Sequence, residues 1–174
     1  MAHLMIDIET IAVEPNATIL TIAGQSFDPF GTGYHPQYYY ARIDFESQEA
    51  RAINQNTLDW WATQAADVRE EAFNELDRIP LDKALDEIGK LIWKSNRMWC
   101  QGPAFDATIL ENAYKSYGKA LPWQYHKVRD SRTVFSLWPD LPKPPTSHNA
   151  LEDCRRQIGM LQSTLKHFNI TELA

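Results

Sequence analysis

The sequence predicts an α/β or α+β layered architecture with one mixed sheet flanked by helices, and three observations carry that expectation. Three apolar and aromatic runs open the chain, at residues 3–8, 18–27 and 37–43. Only short turn signals separate them, Glu14-Pro15-Asn16 and then Asp28-Pro29 through Gly33, which is the spacing of an antiparallel meander. The rest reads helical, interrupted by one short buried run, Met98-Trp99-Cys100. Strands, helices, a strand and more helices pack as layers around a common sheet.

Each element has its own reason. The first run, His3 to Ile8, is followed by Glu9, so Asp7 and Glu9 stand two apart. On a strand they point to the same face. The second run (TILTIAGQSF) is apolar throughout, and the third (QYYYARI) is rich in tyrosine. Asn56-Thr57 can cap a short helix that carries Leu58, Trp60 and Trp61. Residues 67–74 (DVREEAFN) read as a charged, solvated helix. Leu81, Ala84, Leu85, Ile88, Leu91 and Ile92 form a helical stripe through Trp93. Gly102-Pro103 ends the buried run, and Phe105 to Tyr117 reads as the next helix. The prolines of residues 139–145 (PDLPKPP) force a loop. The last helix runs from about Asn149 to Phe168, where Asn149 and Glu152 have the spacing of a capping box.

Composition narrows the function classes. At 174 residues one domain is the default, and 44% apolar residues suffice for a core. No apolar run is long enough to span a bilayer, so no membrane partner is expected, and no secretory signal is visible. Cys100 and Cys154 lack zinc-like spacing, and a cytoplasmic chain with reduced thiols is the expectation. The net charge of -6, from 17 basic and 23 acidic residues, argues against a protein that coats polyanions. An enzyme acting on nucleic acid stays open, because bound divalent cations supply local positive charge.

The chemistry gathers on five residues. Asp7 and Glu9, side by side on a strand, repel each other unless a cation lies between them. Asp106, after the Gly-Pro turn, and Asp153, after Asn149, fall in the first turns of helices, whose N-termini are electropositive. His148, in the loop before the last helix, is placed to hang over the acids and to take a proton from a metal-bound water. Taken singly, each has an ordinary reading as a solvated acid, a helix-start acid or a loop histidine. Asp130 is the rival acid, but Arg129 and Arg132 beside it give it ion-pair partners.

In the order of these motifs the chain resembles the DEDDh exonuclease superfamily. The matching residues are Asp7-Ile8-Glu9, Asp106, and His148 with Asp153 in the order His-x4-Asp. Thr57-Leu58-Asp59-Trp60-Trp61, Phe105-Asp106, Arg129-Asp130-Ser131-Arg132-Thr133 and the His-Asn-Ala-Leu-x-Asp form of His148 to Asp153 are similar to segments of its small phage and prophage branch, the DexA-like and exonuclease VIII-like proteins. The resemblance implies an RNase H-like fold, with three antiparallel strands followed by further parallel strands. It also implies 3′→5′ exonuclease activity with two Mg²⁺ or Mn²⁺ ions held by Asp7, Glu9, Asp106 and Asp153, with His148 as general base. Single-stranded DNA 3′ ends are the expected substrate, by analogy with that branch, with RNA 3′ ends as the alternative. A non-catalytic nucleic-acid-binding module on the same fold is the competing class. Ile8 and Thr10 flank the acids as substrate-contact candidates. Trp60, Trp61 and Phe105 are candidates for stacking on bases, the tryptophans equally for core or wall. Arg129 and Arg132 are candidates for phosphate contact. The family includes homodimers, so a homodimer is open here.

Overall fold

Strand pairing begins at the N-terminus of the computed structural model, which describes residues 2–173. Strands β1 (His3–Thr10), β2 (Ile19–Phe27) and β3 (Tyr38–Ile43) form the expected antiparallel meander. Helices α1 (Gln55–Ala62) and α2 (Ala66–Phe73) follow, then β4 (Arg78–Ile79), α3 (Leu81–Lys94), β5 (Met98–Cys100) and α4 (Asp106–Ser116). Strand β6 (Val128–Asp130), α5 (Ser131–Ser136) and α6 (Ala150–His167) complete the chain. The sheet has six strands in the order β4-β3-β2-β1-β5-β6. Strands β5 and β6 run parallel to β1, so this is the mixed, RNase H-like sheet expected. Among the described residues, no helix is long and apolar enough to cross a membrane.

Alternation along β1 sorts its side chains into two layers. Leu4, Ile6 and Ile8 join the core under α3 and α4, with Leu85, Ile88, Ile109 and Leu110. Met5 faces the other way, into a core with Phe135 of α5 and Cys154, Ile158 and Leu161 of α6. Asp7 and Glu9 continue the α6-facing series. Helix α3 lies close on the sheet because β2 carries Gly24 there: a Cβ at that position would meet the Ile88 side chain at 2.7 Å. A third, smaller core under α1 and α2 holds Ile11, Leu20, Trp61 and Ala72.

Several boundaries differ from the sequence expectations. The cap of α1 is Asn54, extended at φ -118°, whose side chain accepts from Asn56 N–H; the 56–57 pair lies inside the helix. Strands β4 and β6 have two and three residues, too few for a period to register. Helix α2 is not simply solvated, since Glu71 accepts hydrogen bonds from Tyr40 and Arg42 of the neighbouring strand. Asn149 does cap α6, accepting from Leu151 and Glu152 N–H, but Glu152 turns to Arg155 instead of closing a capping box.

Candidate active site

The site lies at the C-terminal end of β1, where three separated segments arrive. On its β1 side strand β5 pairs with Leu4 and Met5 alone, so it has ended before Ile8. The Ile8 N–H is instead taken by Asp106, the first residue of α4, whose Oδ1 accepts it at 3.2 Å. The turn that delivers Asp106 needs Gly102: its φ is 108°, and a Cβ there would stand 3.3 Å from the Arg132 guanidinium.

From the other face α6 supplies Asp153 and, one helical turn later, Gln157. Gln157 is 1% exposed and donates from Nε2 to Asp7 Oδ1 at 2.7 Å, and its own carbonyl oxygen is buried without a hydrogen-bond donor. Asp153 accepts four hydrogen bonds, from Thr146 Oγ1 (2.8 Å), Ser147 N (3.2 Å), His148 N (2.9 Å) and Arg156 Nε (2.9 Å). This ties the end of the Pro-rich loop to α6. His148 is therefore not freely hanging, as its loop position implied. Its backbone is held in the left-handed region, φ 52°, a conformation that costs a non-glycine residue about 1–3 kcal/mol. Its ring packs edge-to-face with Trp60 (centroids 4.9 Å) and Trp61 (6.1 Å). A carboxylate oxygen of Glu9, a ring nitrogen of His148 and a carboxylate oxygen of Asp153 all lie within 4.8 Å of one another.

Beside these residues opens a cleft of about 400 Å³, lined by Ile8, Glu9, Thr10, Trp60, Trp61 and Phe105 among others. The two tryptophans divide their roles. Trp61 is buried, and its indole N–H donates to Thr10 O at 2.8 Å, whereas Trp60 is 42% exposed. Arg132 donates to Gln101 O, and its charge reaches Asp106. Arg129 does not join the cluster: its guanidinium donates to the carbonyls of His126 and Val128, and its charge is felt by His3 at the far end of β1. Asp130 caps α5 through Arg132 N–H and accepts from the Thr133 hydroxyl, so its partners differ from the ion pairs expected. The composition-based reading passed over Gln157, Arg156 and Thr146. The first two were legible, because they follow Asp153 by four and three residues on a helix and so share its face.

Crowding of buried acids governs the electrostatics. The Asp7 carboxyl is driven well above the usual carboxylate range by burial, then by Asp106, Glu9 and Asp153, against the Gln157 amide. Glu9 is pushed up to about 8 by burial, then by Asp153 and Asp106. Asp106 is pushed up to about 7 by burial, which outweighs its backbone hydrogen bonds and Arg132. Such a donor set, hard oxygens with unbalanced negative charge, fits a hard divalent cation. The sign for stability follows. Unfolded carboxylates titrate near pH 4, so between about pH 4 and 8 the folded chain holds more protons, and stability falls as pH rises. Thermal melts in EDTA should decline from pH 5 to pH 8, and Asp7→Asn should flatten the decline. A flat profile for the unaltered chain would contradict this account of the acids.

A model of the Rv2179c-like 3′-5′ exoribonuclease domain matches residues 2–165. The chain belongs to this family. As an Rv2179c-like domain it is similar in fold to several solved nucleases. Cell-death related nuclease 4 (CRN-4) superposes with a TM-score of 0.64 at 16% identity, over 95% of this chain and 64% of that one. The nuclease domain of 3′hExo, a DEDDh family member solved bound to rAMP, gives 0.65 at 10% identity over 99% and 96%. E. coli exonuclease I, solved with a dA13 oligonucleotide, gives 0.66 at 16% over 95% and 40%. The Rv2179c-like chain thus spans less than two thirds of two of these three proteins. Comparison with curated proteins gives no match.

Proposed function

We propose that this chain is a divalent-metal-dependent exonuclease that removes mononucleotides from the 3′ end of single-stranded RNA. One observation carries the reading: acids from β1, α4 and α6 converge with His148 at one end of β1, beside an open aromatic cleft. The family description supports the direction of cleavage and the choice of RNA. DNA is the second reading, favoured by the likeness to exonuclease I with its deoxyadenosine strand. The tryptophan pair and the His-Asn-Ala-Leu-x-Asp segment support kinship with the phage and prophage branch.

In this reading Asp7, Glu9, Asp106 and Asp153 hold the metal. Bound Mg²⁺ or Mn²⁺ supplies positive charge against the phosphodiester, and four acids are enough to share two ions. The protein's part is orientation and proton transfer. Gln157 fixes the Asp7 carboxylate through a hydrogen bond, and Asp106 is fixed by the Ile8 N–H. His148 faces Glu9 and Asp153, where its ring nitrogen can accept the proton of the attacking water. The wall of Trp60 and Trp61 keeps that ring from turning away. Trp60 and Phe105 offer faces to the terminal bases, Ile8 and Thr10 line the floor, and Arg132 stands near enough to contact a phosphate.

Matched RNA and DNA 12-mers with free 3′ hydroxyls test the assignment. With Mg²⁺ or Mn²⁺, stepwise release of nucleoside 5′-monophosphates is expected, faster from RNA. Faster release from DNA would move the substrate to the second reading. No release from either would leave the non-catalytic module as the better description.

A further inference from the structure

A second polar cavity, of about 360 Å³, lies outside the acid cluster and is lined by Asn16, Ser47, Arg51, Asn112, Ser116 and Tyr117 among others. No carboxylate lines it. Its one charged wall is Arg51. The Arg51 Nε donates to Ala17 O at 2.8 Å and Nη1 to Asn112 Oδ1 at 3.2 Å. Its Nη2 is buried with no hydrogen-bond partner. Among the described residues no acid pairs with this guanidinium. A partly buried cation with unused donors leaves a strong electrostatic demand for an anion, since an unpaired buried charge is costly. Burial also lowers the Arg51 pKa, as expected of a cation lacking a counter-charge.

The cavity shares its elements with the catalytic cleft. Val13 lines the cleft and Asn16 the cavity, on the same turn; Asn54 lines the cleft and Arg51 the cavity, on the same loop. Helix α4 begins at Asp106 in the acid cluster and reaches Asn112 six residues later, a rise of about 9 Å. A strand whose 3′ end lies among the acids therefore has this cavity within reach of a phosphate a few nucleotides upstream.

We infer that the Arg51 cavity, with Asn112 and its neighbouring hydroxyls, binds a backbone phosphate of the nucleic-acid strand upstream of the scissile bond. The inference rests on the proposed exonuclease reading. It makes Arg51 a determinant of how long a substrate is gripped, without any part in the chemical step.

Asn112→Asp tests it directly. The new carboxylate takes over the acceptor position for Arg51, so the fold keeps its contact, while a phosphate is repelled. Steady-state kinetics of the full chain on an RNA dinucleotide and an octamer, with thermal melts as a control on folding, give the readout. The expected result is a KM for the octamer raised about tenfold with kcat unchanged, and a dinucleotide unaffected within about twofold. The octamer KM should also lose about one unit of its logarithmic salt dependence, as for one lost phosphate contact. Arg51→Gln should reproduce these changes; should it fail to fold, Asn112→Asp alone decides. An octamer KM equal to that of the unaltered chain overturns the inference while leaving the exonuclease reading intact. Equal impairment of both substrates overturns it too, because the change would then act through the catalytic cleft. Absence of turnover by the unaltered chain on either substrate is the separate failure of the function itself.

Discussion

Replacing Asp7 with alanine is expected to reduce exonuclease turnover by at least about a thousandfold, since metal-assisted charge stabilisation contributes several kcal/mol and each ~1.4 kcal/mol is tenfold in rate. The same variant should bind Mn²⁺ more weakly by calorimetry. Its fold should persist, for a physical reason specific to this site. Asp7 is the acid most penalised by its surroundings, facing burial and three neighbouring carboxyl groups with only the Gln157 amide in its favour. Without metal, its removal relieves repulsion, so the melting temperature in EDTA near pH 8 should rise or hold. An Asp7→Ala chain that turns over normally, or that binds Mn²⁺ as tightly as before, would remove the central support for the metal site.

His148→Ala should separate two roles that the geometry places together. The His148 ring nitrogen lies within 4.8 Å of oxygens of both Glu9 and Asp153, close enough for proton transfer through one water and close enough to be considered a ligand. As a general base its loss should lower kcat by about 10²–10⁴-fold, with Mn²⁺ affinity unchanged. Weakened Mn²⁺ binding would instead make the imidazole a ligand. The backbone consequence is opposite in sign to the catalytic one. His148 sits at φ 52°, so His148→Gly should also lose turnover while melting slightly higher than the alanine variant. That pair of variants distinguishes loss of the ring from collapse of the loop.

What the sequence disclosed follows from which interactions are local. The two carboxylates of β1 were legible because strand alternation is a local rule, and Asp106 and Asp153 because helix starts announce themselves through Gly102-Pro103 and Asn149. The alternation of strands and helices gave the layered sheet, and the resemblance gave its RNase H-like topology. Strand β6 and helix α5 were hidden in Val128 to Ser136, since three residues of strand and six of helix leave no period to detect. Within that segment Asp130 reads as an ion-pair residue, and only the fold shows it capping a helix. Arg129 was equally opaque: its guanidinium folds back on nearby carbonyls, while Arg132 donates to Gln101 O and its charge reaches Asp106. Three of the four donors to Asp153, from Thr146, Ser147 and His148, depend on a loop meeting a helix, which no spacing rule reports.

The continuous pairing of β1 with β2, from His3 opposite Phe27 to Glu9 opposite Thr21, has an evolutionary corollary. One residue inserted or deleted within the first strand ahead of Asp7 would exchange the two layers, sending both acids under α3 and α4 and bringing Ile6 and Ile8 to the side that faces α6. Lengthening the proline segment before His148 alters only a tether. Lineages of such a domain are thus free to remodel their connections and overwrite most side chains, as the 10–16% identity to nucleases of like fold illustrates. The spacing along that single strand is the part they are least able to change.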